Sequence, residues 1–144
     1  MILVDASILL YAHSATSPHH EKASRWIERA LEHHEDIGLA WVTITAFLRL
    51  ATNPAAYELP LSMREAMAVI ESYLSRSHVY TVVPGDEHWT LFTRICEQGQ
   101  VTSRLITDAH LATLALELGA ALCSADRDFT RFPGLRIINP LADT

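Results

Sequence analysis

Long apolar runs are missing from this sequence. Met1 to Leu10 is apolar but too short to span a bilayer, and Asp5 interrupts it with no basic region or cleavage site before it. The chain is therefore expected to be soluble and cytoplasmic, without a membrane partner. Cysteine is scarce: Cys96 and Cys123 form no C-x-x-C pair and each sits in an apolar segment, which fits reduced core residues better than metal or redox chemistry. Positive charge is short too, with 11 Lys and Arg against 17 Asp and Glu and a net charge of −6, which excludes a protein that holds nucleic acid by blanketing its phosphates. Lysine is almost absent, Lys22 alone against ten arginines, and arginine suits bidentate phosphate or carboxylate contacts. There is no Gly/Ser or Pro-rich linker, repeat or low-complexity tract, so 144 residues are expected to make one domain over 1–144 with one site. No G-x-x-x-x-G-K-[ST] loop, G-x-S-x-G elbow or H-E-x-x-H helix occurs, which removes nucleotide hydrolysis, serine esterase and zinc protease chemistry.

What is present alternates short aliphatic runs with amphipathic stretches. Ile2-Leu3-Val4 reads as a buried strand ending at Asp5, and Ser17-Pro18 opens a helix with Ala23, Trp26, Ile27, Ala30 and Leu31 on one face. The His19-His20 and His33-His34 doublets near its ends lack a third ligand at useful spacing and are expected to be solvated. Ile37 to Ala40 is a second strand, followed by a helix with Ile44, Phe47, Leu48 and Ala51 that stops at Asn53-Pro54. Ser62 and Glu65 form a capping box before a helix presenting Met63, Ala66, Met67, Ile70, Tyr73 and Leu74. His78 to Val83 is a third strand, and the next helix points Leu91, Phe92, Ile95 and Cys96 inward and ends at Gly99. A helix from Ile106 to a stop at Gly119 carries Leu111, Leu114, Ala115 and Leu118 as one apolar stripe; strands at 120–123 and 135–138 complete the chain. The pattern predicts an α/β fold, a three-layer α/β/α sandwich with a mostly parallel central sheet.

Right-handed crossovers put every strand-to-helix turn on one sheet edge, where open α/β sheets carry their sites. Asp5 and Asp126 each follow a strand there, and Asp108 stands in the first turn of the intervening helix, with Ser7, Ser124 and Asp128 close by in sequence. Each carboxylate also has a plain explanation as a helix cap. Together, however, they would concentrate negative charge that a bound cation relieves, and oxygen-only ligands favour Mg²⁺ or Mn²⁺. Such a metal suits phosphodiester hydrolysis. A receiver or phosphatase domain would need D-x-D at the first strand, and Asp5-Ala6-Ser7 lacks it.

Ile2-Leu3-Val4-Asp5-Ala6-Ser7, Thr107-Asp108-Ala109-His110-Leu111-Ala112 and Ser124-Ala125-Asp126-Arg127-Asp128-Phe129 resemble, in order, the three blocks of PIN-domain ribonucleases. Phe47-Leu48-Arg49 before Ala51-Thr52-Asn53-Pro54, and Arg131-Phe132-Pro133-Gly134-Leu135, extend the resemblance to VapC toxins of type II toxin-antitoxin systems. It implies a Mg²⁺- or Mn²⁺-dependent endoribonuclease, a homodimer and inhibition by a VapB-type antitoxin. Asp5, Asp108 and Asp126 carry over as catalytic and metal-binding residues. The glutamate that the family usually has just before the Phe-Leu-Arg stretch is Ala46 here, and Asp128 is the nearest carboxylate to compensate. That loss keeps open an alternative, a degenerate module that binds antitoxin or RNA without cutting. Asp128, Ser124 and Ser7 are further site candidates, and Arg49 is a candidate RNA or antitoxin contact. His110 is expected to be a hydrogen-bonded structural histidine, and Trp41 and Trp89 to be packing residues.

Overall fold

The computed structural model describes residues 1–142. Five strands form one parallel sheet: β1 (Ile2–Val4), β2 (Ile37–Ala40), β3 (Val79–Val82), β4 (Ala121–Cys123) and β5 (Ile137–Ile138), in the spatial order β3-β2-β1-β4-β5. Six α-helices connect them: α1 (Ala6–Ala12), α2 (His20–Glu32), α3 (Trp41–Ala51), α4 (Met63–Leu74), α5 (His88–Gln98) and α6 (Ile106–Leu118). Consecutive side chains on a strand point to opposite faces. Val4 and Leu39 accordingly join a core built from α1 to α4, while Leu3 and Ala40 join a second core with α5 and α6. The sheet is thus covered on both faces, which makes three layers.

Local chemistry sets the helix ends. Ser62 Oγ accepts from Glu65 N at 3.0 Å while Glu65 Oε1 accepts from Ser62 N at 2.9 Å, the expected capping box. Gly119 closes α6 at φ 61°, a left-handed conformation that glycine adopts without steric cost, and Ala120 N reaches back to Ala115 O at 2.8 Å. The α6 stripe is wider than expected. Ala109, Leu111, Ala112, Thr113, Leu114 and Ala115 are all buried whereas Leu118 is exposed, because the helix is enclosed between the sheet, α5 and the turn after β4. On α4, Ala66, Ile70 and Tyr73 are buried, but Met63 and Met67 stand in solvent. Both cysteines are free thiols; Cys123 is buried, and burial pushes its thiol up. No helix among the described residues is long and apolar enough to cross a membrane.

Chain order turns back between β1 and β4. Strands β2 and β3 extend the sheet on one side of β1, while β4 and β5 extend it on the other. This switch point opens a crevice beyond the C-terminal ends of β1 and β4.

Candidate metal centre

The register pairs Val4 with Cys123, and Asp5 N donates to Cys123 O at 2.9 Å, so Asp5 and Ser124 leave the sheet side by side. Asp5 occupies the N-cap position of α1 but makes no side-chain cap bond. Its Oδ2 instead accepts from Ser7 Oγ at 3.1 Å and from Ser124 Oγ at 2.8 Å. Burial raises the Asp5 carboxyl above its usual value; the two serine hydroxyls oppose that and the Asp126 charge adds to it. Ser124 is itself buried, and its oxygen accepts from Asp126 N at 3.0 Å. One hydroxyl therefore ties both strand ends together, a role beyond the helix cap that its sequence position suggests.

After Ser124 the chain enters a short 3-10 turn, Arg127–Arg131, capped by Asp126 Oδ1 accepting from Asp128 N at 2.9 Å. The turn carries Asp128 round toward the first turn of α6. The result is a cluster in which one carboxylate oxygen each from Asp108, Asp126 and Asp128 lies within 4.8 Å of the others. Asp5 is not one of this close group, yet it is near enough for its charge to act on Asp108. Burial first, then the charges of Asp126, Asp5 and Asp128, push the Asp108 carboxyl up to about 6; the Arg104 guanidinium works against them. Asp108 is the acidic residue of the first turn of α6, where the helix N-terminus favours a carboxylate, so both readings of its place hold.

The donor set is all oxygen, with neither histidine nor cysteine in it, and Asp126 is open to water. Crowded carboxylates that resist ionising together, at a mouth where water remains available, fit a hard divalent cation that keeps part of its hydration. Asp108, Asp126 and Asp128 would hold it.

Other candidates lie elsewhere. Arg49 is exposed in the last turn of α3, and its side chain makes no hydrogen bond or ion pair among the described residues. Ala46 is half-buried in the same helix. His110 Nδ1 meets His88 Nε2 of α5 at 3.0 Å, and His88 Nδ1 in turn pairs with Glu117, so His110 is a bonded histidine in a helix contact. A groove of about 470 Å³, lined by Leu10, His13, Phe47, Tyr57 and Leu59 among others, includes none of the clustered carboxylates. Trp41 and Trp89 are not core packing residues: they are 53% and 72% exposed, and Trp89 touches only the Phe92 ring among the aromatic rings of the described residues. Periodicity placed each on a helix, but both fall in first turns that project beyond the sheet edge. Two polar partners escaped the sequence pattern, Arg104 and the His88–Glu117 pair; the spacing of Arg104 four residues before Asp108 is the one clue to the former.

Comparison with known proteins gives a consistent result. The PIN domain family matches residues 2–135. Ribonuclease VapC37 of Mycobacterium tuberculosis is 38% identical over 142 residues, covering 99% of each chain. Among solved structures, Mycobacterium tuberculosis VapC20, a sarcin-ricin loop cleaving toxin, superposes with a TM-score of 0.65 at 18% identity, covering 94% of this chain and 99% of that one. VapBC2 of Rickettsia felis, bound to a DNA fragment from its promoter, superposes with a TM-score of 0.67 at 16% identity, covering 96% and 98%. At these identities the two structures speak for the fold.

Proposed function

The chain belongs to the PIN-domain family, in its VapC branch, and on that premise we propose that it is a metal-dependent endoribonuclease, the toxin of a toxin-antitoxin pair. It hydrolyses RNA phosphodiester bonds at the switch-point crevice. The observation that carries this reading is the grouping of the Asp108, Asp126 and Asp128 carboxylates within 4.8 Å. Three like charges so close are costly unless a cation offsets them. Asp128 takes the part that the missing glutamate at Ala46 leaves open.

Asp108, Asp126 and Asp128 would hold the Mg²⁺ or Mn²⁺. When bound, such a cation activates water and offsets the charge that develops on phosphate and leaving oxygen. Ser7 and Ser124 orient Asp5, whose Oδ2 they both engage. Buried beside the cluster and raised in pKa, Asp5 is suited to accept a proton from the attacking water. Asp126, fixed through its backbone by Ser124, keeps its carboxylate at the mouth.

The partners follow from the same family. The Rickettsia felis neighbour is a VapBC complex, which supports a VapB-type antitoxin for this chain, in the cytoplasm. A homodimer is supported by the exposed apolar residues Trp41, Val83, Trp89 and Ile106, all close to the edge that carries the carboxylates.

The test is cleavage of total RNA by the purified, antitoxin-free chain with Mg²⁺, with Mn²⁺ and with chelator, beside Asp108→Asn. Cleavage that needs both metal and Asp108 is expected. Ala46 favours a second reading, a module that binds antitoxin or RNA without cutting; RNA binding with no cleavage under any metal would replace the first reading with this one.

A further inference from the structure

A phosphodiester approaching this crevice meets an electrostatic problem. Three clustered carboxylates and one dication still leave one negative charge, Asp5 adds another, and the chain as a whole carries −6. Some cation of the chain has to face the phosphate. Four arginines follow α5 in the sequence, and two of them are bonded away from the carboxylates, at the C-terminal ends of α5 and α6: Arg131 Nη1 donates to Gly99 O at 3.0 Å and Arg136 Nη2 to Gly119 O at 2.9 Å. The Arg127 side chain makes no hydrogen bond or ion pair among the described residues; its carbonyl accepts from Thr130 Oγ1. Arg104 alone of the four pairs with the cluster, its Nη1 donating to Asp128 Oδ2 at 3.0 Å.

Its backbone setting is specific. Arg104 sits in a 3-10 turn, Ser103–Leu105, that runs straight into α6, so it lies four residues and about one helical turn before Asp108. Ser103 enters that turn at φ 54°, a conformation rarely adopted by a residue with a side chain. The Arg104 side chain is 76% exposed, with most of its five N–H donors in water. An ion pair so exposed stabilises the fold little. Its geometry is better suited to exchange: when a metal takes the Asp128 carboxylate, the guanidinium is released at the rim, where a planar fork matches a phosphate bidentately.

We propose that Arg104 is the substrate-phosphate contact of this site, parked on Asp128 until metal and RNA displace it. The inference rests on the ribonuclease reading above. It requires the residue that opposes metal binding also to favour RNA binding, and a purely structural ion pair would not do the second.

The experiment compares wild type, Arg104→Ala and Arg104→Lys by two readouts. The first is calorimetric titration with Mn²⁺ alone. Arg104→Ala is expected to bind Mn²⁺ a few-fold more tightly, because a competing cation has gone. The second is single-turnover cleavage of a labelled RNA, read as the protein concentration at half-saturation. Arg104→Ala should need about tenfold more protein, with a salt slope smaller by about 0.7, the loss of one phosphate contact on a single strand. Arg104→Lys should recover part of the RNA affinity and the salt slope. The side chain is exposed, so the variants should keep the wild-type melting temperature. Unchanged half-saturation in Arg104→Ala would overturn the proposal, as would weaker Mn²⁺ binding, which would make Arg104 an orienter of Asp128. A wild type that binds Mn²⁺ but neither binds nor cuts RNA would remove the ribonuclease reading and this inference with it, an outcome distinct from normal cutting by Arg104→Ala.

Discussion

Ser124 Oγ donates to Asp5 Oδ2 at 2.8 Å across the seam between β1 and β4. The same oxygen accepts from Asp126 N at 3.0 Å, and the residue is almost fully buried. Ser124→Ala would leave Asp5 with one hydroxyl partner and Asp126 N without its acceptor. An unmade hydrogen bond in such a place costs about 1–3 kcal/mol. The variant is expected to melt several degrees lower and to cut RNA about tenfold more slowly, since Asp5 and Asp126 lose their shared anchor. Differential scanning fluorimetry and a cleavage time course check both; an unchanged melting temperature would mean that another group satisfies both aspartates.

Asp108 gives stability a pH dependence in chelator. Its carboxyl is raised from 3.8 to about 6 in the folded chain, chiefly by burial and then by Asp126, Asp5 and Asp128. A raised pKa means that the folded state holds the proton more tightly than the unfolded one. The contribution is therefore full below pH 3.8 and lost as pH rises through about 6. Asp108→Asn removes that loss. Because Asp108 is half-exposed, the full conversion is discounted for screening to about 1 kcal/mol. At pH 7 without metal the variant should melt higher than wild type by a few degrees, while cutting no RNA. A lower melting temperature under those conditions would contradict repulsion within the cluster.

Much of this architecture is readable from residue pattern. Four of the five strands fall on short apolar runs and β3 on a stretch rich in β-branched residues, and the edge that carries Asp5, Asp108 and Asp126 follows from parallel strands with crossovers of one hand. What could not be read depends on which surfaces are covered and on how irregular turns run. Period alone assigns Trp41, Trp89, Met63 and Met67 to helices, but it does not say how far those faces are covered, and all four are exposed. Asp128 meets the cluster from a 3-10 turn that follows Asp126, and Asp5 is bonded to Ser124, its neighbour across the register. Neither fact is periodic.

Gly38 marks a close approach within the sheet. It pairs in register with Leu3, and a Cβ built on it would lie 2.4 Å from Leu3 Cδ2, with Met1 Sδ and Val82 Cγ1 each at 3.1 Å. Leu3 is wholly buried in the core beside α6 and has little room to move. Gly38→Ala should therefore overpack the core and destabilise the chain by about 1–3 kcal/mol, although alanine has the better backbone entropy. Urea unfolding measures this. A variant as stable as wild type would show that Leu3 changes rotamer at no cost.

The last prediction concerns the exposed indoles. Ala40 of β2 pairs with Val82 of β3, so Trp41 and Val83 emerge next to one another at the end of the sheet. Trp89 follows on the first turn of α5 and Ile106 begins α6, and all four are exposed apolar residues. A monomer leaves such a group in water at the cost of roughly 25 cal/mol for each Å² of apolar surface. Trp and its aliphatic neighbours are also the residue types that anchor stable interfaces. A second copy of the chain meeting this edge would bury them and bring two acidic crevices near one another. Light scattering after gel filtration is expected to give a dimer for wild type. Trp89→Lys places a charge in the contact without touching the core, so it should yield a monomer with unchanged circular dichroism. A monomeric wild type would overturn the homodimer, and a dimer unaffected by Trp89→Lys would move the interface to another face.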